Sequence, residues 1–328
     1  MSQIDKIRSR ASQSIRNVLL PEAEKDIRVI KAAIMLKTAG YANPILLGDA
    51  ETISSLAESE GASLPDSIEV RPYLDPEQDE RKFHYFKEKL KHKNPQDSDL
   101  WKLCRDQLFT AGWLLDQGEA DASVAGSVAS TGAVILSALR TVGVAESSEL
   151  VSSSFLMEMS DGRVFTYADC GVVPYPDSAQ LASIALDAGK THQLLTGEEP
   201  LIAFLSFSTK GSARHESVDL VSEACRIARS KKPEWKMDGE LQFDAAAVPS
   251  VAARKAPKSE VKGDANVFIF PNLDAGNIAY KITERLAGAT ATGPLLQGLK
   301  KPIMDLSRGC SVDDIVNTAC VASLLSLT

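Results

Sequence analysis

The sequence has few cysteines and no long apolar run, and both shortages limit what the chain can be. Its five cysteines are an odd number, are widely spaced and form no CxxC pair, so neither a disulfide framework nor a zinc site is expected. No apolar run approaches the roughly 20 residues that span a bilayer. The polar N-terminal stretch has no hydrophobic core of a secretory signal. We therefore expect a protein of the reducing cytoplasm, with no membrane partner and no bound metal.

Positive charge is also in short supply. Lysine and arginine together number 36, against 44 aspartates and glutamates, which gives a formal net charge of −8. Nucleic acid binding needs an excess of cations, so nucleic acid is not expected as the main partner. A small anionic ligand is still compatible with this balance, because it needs only a local cationic site. The length of 328 residues favours two domains.

Three common catalytic motifs are missing. No GxGxxG occurs, so a Rossmann dinucleotide site is not expected. Gly288–Gly293 has the glycine spacing of a Walker A loop, but Pro294 stands where the lysine must be. His215 and Glu216 begin an HExxH pattern, but Asp219 occupies the place of the second histidine. Dehydrogenases, P-loop NTPases and zinc hydrolases are therefore not favoured.

Apolar strands and amphipathic helices alternate along the chain, which is typical of parallel sheets covered by helices. The pattern predicts strands over residues 17–21, 44–48, 120–126, 152–159, 163–170, 201–208 and 265–271. It predicts helices over residues 26–40, 101–116, 180–189, 219–230 and 275–288, a solvated helix within 72–99 and a helix from about 131 that ends near 143. The strands 152–159 and 163–170 form a pair around a turn at Asp161–Gly162.

The C-terminal segment from Gly293 to Asp314 is the richest in chemistry. It places a hydroxyl, a guanidinium and a carboxylate within eight residues, namely Ser307, Arg308 and Asp314. Such a set can hold an anion and move a proton. A structural interpretation competes with the catalytic one, because Ser311 and Asp314 have the spacing of a capping box before an apolar helix. By the same reasoning Arg308 could be a surface ion pair and Ser307 a turn residue.

Several segments together resemble one enzyme family. They are Phe165–Pro176 (FTYADCGVVPYP), Leu205–His215 (LSFSTKGSARH), Asp238–Pro257, Ala265–Leu286 and Gly293–Val316 (GPLLQGLKKPIMDLSRGCSVDDIV). The chain resembles the phosphate acetyltransferases, or phosphotransacetylases, a family that also includes phosphate butyryltransferases. The resemblance covers most of the chain and is densest after Phe165.

The resemblance implies an α/β fold with two three-layer α/β/α domains, mainly parallel sheets and an active-site cleft between the domains. The first domain is expected to be discontinuous, with residues 1–147 and 295–328, and the second to span 148–294. A homodimer is also implied.

The activity implied by the resemblance is the reversible transfer of an acetyl group between acetyl phosphate and coenzyme A. Acetyl-CoA and phosphate are the other partners, coenzyme A is a substrate, and no tightly bound cofactor and no covalent acyl-enzyme are expected. Asp314 is then the base that deprotonates the thiol. Ser307 hydrogen-bonds the reacting carbonyl or thiol, and Arg308 holds the phosphate.

Other candidate residues follow from the same resemblance. Ser130 and Thr131, before a helix, match hydroxyls near the acyl phosphate, although an ordinary helix cap explains them equally well. Lys281 matches a lysine that faces the cleft, although most helix lysines are simply solvated.

Two family arginines that contact anionic substrate groups are replaced here. Leu136 stands at one of these places and, in a looser alignment, Leu90 stands at the other. Arg140 follows Leu136 by four residues and so lies on nearly the same helix face, and Lys91 neighbours Leu90. Arg140 is therefore a candidate substrate-binding residue. Two alternatives to acetyl transfer stay open: transfer of propionyl or butyryl groups, and a catalytically silent module that binds acetyl-CoA.

Overall fold

The computed structural model describes residues 1–327, which form two compact α/β units. One unit contains residues 3–143 and the C-terminal segment that begins at Leu299, and the other contains residues 144–298. The α/β fold class predicted from the alternation of strands and helices is confirmed.

Eleven strands and thirteen α-helices are formed by residues 1–327. The strands are β1 (Asn17–Leu20), β2 (Asn43–Leu47), β3 (Glu69–Arg71), β4 (Ala122–Ala125), β5 (Ser152–Glu158), β6 (Val164–Ala168), β7 (Ile202–Leu205), β8 (Met237–Leu241), β9 (Val267–Ile269), β10 (Thr290–Gln297) and β11 (Ile303–Asp305). The helices are α1 (Gln3–Gln13), α2 (Ile27–Thr38), α3 (Ala50–Ser59), α4 (Pro76–Lys89), α5 (Asp97–Cys104), α6 (Gln107–Asp116), α7 (Thr131–Arg140), α8 (Ser178–Thr196), α9 (Glu216–Lys231), α10 (Phe243–Ala247), α11 (Pro249–Lys255), α12 (Leu273–Ala287) and α13 (Val312–Leu325).

The sheet of the first unit is entirely parallel, with the strand order β11-β4-β1-β2-β3. From β1 the chain moves outward to β2 and β3, whereas β4 and β11 lie on the other side of β1. Helices α2 and α13 pack together against one face, and α6 and α7 pack together next to β4 and β11. The carboxyl ends of β1 and β4 are therefore the point where the strand order reverses, which is where open α/β sheets commonly bind ligands.

The sheet of the second unit has the order β10-β5-β6-β9-β7-β8 and is mostly parallel. The pair predicted around Asp161–Gly162 is confirmed as the antiparallel strands β5 and β6, and β10 is antiparallel to β5. Alternate residues of β7 point to two apolar cores. Ile202 and Phe204 pack with α8 and α9, whereas Ala203 and Leu205 pack on the opposite side with residues of α10 and α12.

Two helix predictions need correction. The helix predicted over 101–116 is two helices, because the side chain of Asp106 accepts hydrogen bonds from Leu108 N (2.8 Å) and Phe109 N (3.1 Å) and so starts α6 afresh. The helix within 72–99 exists as α4, but it is not simply solvated. Lys82 and Phe86 are completely buried on its inner face.

Three further features of the structure concern membrane crossing, metal binding and the state of the cysteines. Within residues 1–327, no helix combines the length and the apolar character that crossing a bilayer requires. Over the same residues, no three histidine, cysteine, aspartate or glutamate side chains come together in a way that could hold a metal ion. All five cysteines are buried free thiols.

Candidate active site

Most of the candidate residues lie at one edge of the first sheet. Parallel strands all end at the same edge, so the loop after β11, the turn after β4 and the segment after β1 lie together. Ser307 and Arg308 come from the first of these, and Ser130 and Thr131 come from the second. Asp314 lies in the first turn of α13, which follows the loop after β11. Lys281, in α12, belongs to the second unit.

Asp314 forms the capping box that its spacing from Ser311 indicates. Its Oδ2 accepts hydrogen bonds from Ser311 N and Ser311 Oγ, both at 2.8 Å, and Ser311 Oγ accepts from Asp314 N at 3.1 Å. Asp314 is exposed, and its Oδ1 has no hydrogen-bond partner among residues 1–327. Capping therefore uses one carboxylate oxygen and leaves the other available at the positive end of α13.

Arg308 and Ser307 are both exposed. Within residues 1–327 the Arg308 guanidinium forms no ion pair and no hydrogen bond, so the surface ion pair considered from the sequence is not present. The hydroxyl oxygen of Ser307 accepts a hydrogen bond from Gly309 N at 3.3 Å, as a turn residue would. Because accepting uses only a lone pair, the hydroxyl proton of Ser307 remains available to a ligand.

Arg28, at the start of α2, anchors the loop that carries these residues. Its Nη1 donates to the carbonyl oxygens of Arg308 (3.0 Å) and Cys310 (2.6 Å), and its Nη2 donates to the carbonyl of Ser127 at 3.1 Å. Asp26 holds the guanidinium through Nε and Nη2. Although burial opposes the shift, these hydrogen bonds lower the pKa of Asp26. Arg28 gives no local signal in the sequence, because its carbonyl partners are far away along the chain.

Glu22, just after β1, organises the turn between β4 and α7. It is 1% exposed, and its carboxylate accepts five hydrogen bonds of 2.7 to 3.2 Å from the backbone amides of residues 126–129 and the hydroxyl of Ser127. Backbone amides that converge in this way form a concave anion site, and here the protein's own carboxylate fills it. The turn that presents Ser130 and Thr131 is therefore held in place without a ligand. A lone glutamate after a strand offers no local signal for this role.

The two hydroxyl candidates of this turn differ in their partners. Ser130 is the N-cap of α7, and its Oγ accepts from Ala133 N at 3.3 Å. Thr131 is the first residue of α7, and its hydroxyl donates to Oδ2 of Asp305 at 2.6 Å. Both residues are exposed.

The structure places Arg140 away from these hydroxyls. At 1.5 Å per residue, Arg140 lies about 15 Å along α7 from Ser130, whereas Leu136 lies about 9 Å away. Arg140 is half-buried, and its Nε is buried with no hydrogen-bond partner among residues 1–327. Leu136 is 41% exposed, whereas Leu90 is 5% exposed and belongs to the core. The looser alignment at Leu90 thus falls on an interior position, while its neighbour Lys91 is exposed.

Lys281 projects from an exposed position of α12. Its ammonium lies 5.7 Å from the centroid of the Tyr280 ring, at the distance of a cation–π contact. Lys281 forms no ion pair within residues 1–327. Among the described residues, no carboxylate therefore neutralises its charge, which is compatible with a solvated lysine and with a ligand-binding lysine.

The relatives that this chain resembles in sequence are phosphate acetyltransferases. The sequence pattern described as phosphate acetyl/butaryl transferase matches residues 2–323. A phosphate acetyltransferase of Acetivibrio thermocellus is 43% identical over 99% of this chain and 98% of its own length. One from Paracoccus denitrificans is 40% identical over 99% of each.

Solved structures extend the similarity to the fold. A phosphotransacetylase from Streptococcus pyogenes superposes with a TM-score of 0.94 at 37% identity, over 99% of this chain and 98% of that one. The EutD phosphotransacetylase from Staphylococcus aureus gives a TM-score of 0.90 at 37% identity and the same coverage. The resemblance drawn from the sequence is confirmed, and the chain belongs to the phosphate acetyl/butaryl transferase family.

Proposed function

We propose that the chain is a phosphate acetyltransferase, which transfers an acetyl group reversibly between acetyl phosphate and coenzyme A. The observation that carries the proposal is full-length similarity to phosphate acetyltransferases, in a chain whose Arg308 guanidinium and Asp314 Oδ1 have no partner among residues 1–327. Both substrates bind together, and the thiolate of coenzyme A attacks the acetyl carbon directly.

The candidate residues supply what this reaction needs. A free thiol has a pKa near 8.5, so a base must take its proton at neutral pH, and Oδ1 of Asp314 accepts it. As the new S–C bond forms and the C–O bond to phosphate breaks, Arg308 binds the departing phosphate with two parallel hydrogen bonds. Ser307 donates to the carbonyl oxygen, where negative charge develops. Ser130 and Thr131 contact the acyl phosphate, and Lys281 contacts an anionic part of the substrates.

The cysteines support direct attack rather than an acyl-enzyme. Cys310, nearest to Arg308 in sequence, is 6% exposed, and burial raises the pKa of its thiol. Burial likewise raises the pKa of Cys170 well above its usual value. Neither thiol has the lowered pKa of a nucleophile. Free thiols also suit a reducing compartment, so we place the protein in the cytoplasm.

The test is formation of acetyl-CoA from acetyl phosphate and coenzyme A, run beside Arg308→Ala and repeated with propionyl and butyryl phosphate. Robust turnover of acetyl phosphate that collapses in Arg308→Ala supports the proposal. A higher kcat/KM for butyryl phosphate would instead make the chain a butyryltransferase. A wild type that binds acetyl-CoA but turns over none of the three acyl phosphates would make it a silent binding module.

Arg140 is proposed to bind an anionic substrate group in place of an arginine at position 136. A hydrogen bond from an arginine to a charged group contributes about 1.5 to 3 kcal/mol. Arg140→Ala should therefore raise the KM for acetyl phosphate roughly tenfold or more. Leu136→Ala, on the same helix face, is the control and should leave KM near the wild-type value. A KM unchanged by Arg140→Ala would rule out this compensation.

We further propose a homodimer whose interface includes α12. Ile278, Ile282 and Leu286 form a stripe on this helix and are 58%, 52% and 83% exposed. Apolar stripes of this kind mark protein interfaces, and a second copy of the chain is the partner that the family resemblance implies. The solution mass should be twice 35.2 kDa and should fall to that of a monomer in Ile282→Glu. Leu74→Glu, at a similarly exposed apolar residue outside α12, should remain dimeric. A monomeric wild type would contradict the proposal.

A further inference from the structure

Asp305 is a buried carboxyl group directly beside the candidate site. It is the last residue of β11, two residues before Ser307, and it is 2% exposed. Its Oδ2 accepts the Thr131 hydroxyl at 2.6 Å, and its Oδ1 is buried with no hydrogen-bond partner among residues 1–327. A Cβ atom on Gly126 would lie 2.5 Å from Oδ1, so this carboxyl fits closely against the turn after β4.

The surroundings of Asp305 make it easy to protonate. Burial raises the pKa of this carboxyl to about 6, with the hydrogen bond from Thr131 opposing the rise and the negative charge of Glu22 adding to it. The backbone amide of Leu306 opposes the rise weakly. With a pKa of about 6, the carboxyl is mainly ionised at pH 7 and a minor fraction is protonated. Both forms of Asp305 are therefore accessible near neutral pH.

The two forms of Asp305 orient the Thr131 hydroxyl differently. A hydroxyl has one proton to donate and two lone pairs that accept. When Asp305 is ionised, it accepts that proton, and Thr131 can offer a ligand only its lone pairs. When Asp305 is protonated, its carboxyl donates to Thr131 Oγ1, which leaves the hydroxyl proton free to point at a ligand oxygen. An anionic ligand favours the protonated form of Asp305. The ligand then avoids repulsion from a carboxylate and gains the Thr131 hydroxyl as a hydrogen-bond donor.

We propose that Asp305 is a positioning residue for the transfer reaction, which fixes the Thr131 side chain and determines the direction in which its hydroxyl donates. Binding of a phosphate-bearing substrate at Thr131 is coupled to uptake of a proton by Asp305. The inference rests on the proposed function, because it assigns Thr131 a contact with the acyl phosphate. It adds a residue that touches no substrate atom and acts only through Thr131.

The kinetic test compares Asp305→Ala and Asp305→Asn, each alone and combined with Thr131→Val. Loss of the hydrogen bond that the Thr131 hydroxyl donates to the charged phosphate of the substrate should lower kcat/KM for acetyl phosphate. The expected decrease is roughly 10- to 100-fold in Asp305→Ala and in Thr131→Val. In the Thr131→Val background, Asp305→Ala should have an effect of less than about threefold, because its target is already absent. Effects that simply multiply would overturn the proposal.

The pH profile separates this role from a merely structural one. Wild-type kcat/KM for acetyl phosphate should fall as the pH rises through about 6, because Asp305 loses its proton there. Asp305→Asn should lack this fall, since an amide does not titrate in this range. The ionisation of acetyl phosphate itself affects both enzymes equally and so cancels in their ratio. A fall that persists in Asp305→Asn contradicts the proposal. The proposal is also contradicted if Asp305→Asn unfolds more easily than wild type but keeps the wild-type pH dependence of kcat/KM.

A binding measurement keeps this inference separate from the proposed function. Calorimetric titration with inorganic phosphate at pH 6.5, in two buffers of different ionisation enthalpy, should show more proton uptake by wild type than by Asp305→Asn. If wild type makes no acetyl-CoA, the transferase proposal fails, yet this difference still decides the role of Asp305. Equal uptake by the two proteins, or no phosphate binding by wild type, overturns it.

Discussion

Asp314→Asn is expected to lower kcat for acetyl-CoA formation about a thousandfold, within the range that a positioned general base contributes. Oδ1 of Asp314 has no partner in the part of the chain that the structure describes, so it can take the thiol proton while Oδ2 keeps its two hydrogen bonds from Ser311. An asparagine can present its amide oxygen to the same two donors, and the capping box is preserved. The loss should therefore appear in kcat, measured at saturating acetyl phosphate and coenzyme A, with little change in unfolding free energy.

Ser311→Ala is the matched control, because it removes the cap and keeps the carboxylate. Loss of an N-cap hydroxyl costs about 1 kcal/mol of stability, so this variant should unfold more easily yet retain kcat within about threefold. The two variants thus separate the capping and catalytic roles of Asp314. If Ser311→Ala lowers kcat as much as Asp314→Asn, Asp314 acts through the helix start rather than as a base.

Local sequence patterns were enough for most of the first sheet and for the β5–β6 pair, because their strands are short apolar runs between turn residues. They were insufficient for β8, whose MDGEL sequence contains two acidic residues and a glycine. This strand pairs with β7, and its buried Asp238 and Glu240 carboxylates accept hydrogen bonds from Lys210 and Ser208, about 30 residues away along the chain. Local sequence carries no signal for such distant contacts. The return to the first domain at residue 295 was implied by the family resemblance and not by a local pattern; β10 pairs with β5 as far as Gln297.

The candidate site shows a similar division. Ser307, Arg308 and Asp314 are close in sequence, so their grouping and the capping box were visible as a pattern. Arg28 and Glu22 were not, because each acts on backbone groups about 100 residues or more away along the chain. Their partners are main-chain carbonyls and amides, which every residue has and which leave no trace in residue type. Residues that present polar atoms to a ligand were thus recognisable from the sequence, whereas those that hold the loops in place were not.

Lys82→Met is expected to destabilise the first unit by about 3 to 5 kcal/mol, the cost of removing one partner of a buried ion pair. The Lys82 side chain is completely buried, and its ammonium lies 2.8 Å from Oδ1 of Asp79. It also donates to the carbonyls of Tyr73 (2.7 Å) and Cys104 (2.5 Å). Methionine fills a similar volume but leaves a buried carboxylate and two carbonyls without this donor. Urea unfolding followed by tryptophan fluorescence measures the effect, since Trp101 and Trp113 both lie in this unit.

Two further variants identify the cause of this loss. Lys87→Met, on the same helix, removes an exposed lysine that pairs with Asp97 and should change stability by less than about 0.5 kcal/mol. Adding Asp79→Asn to Lys82→Met should recover part of the loss, because it removes a buried carboxylate whose remaining ion-pair partner, the exposed Arg105, is 3.8 Å away. A Lys82→Met protein as stable as wild type would show that the ion pair contributes no net stability. The hydrogen bonds and the ion pair that Lys82 forms within residues 1–327 include none to the β11 loop, so kcat per folded molecule should remain that of wild type.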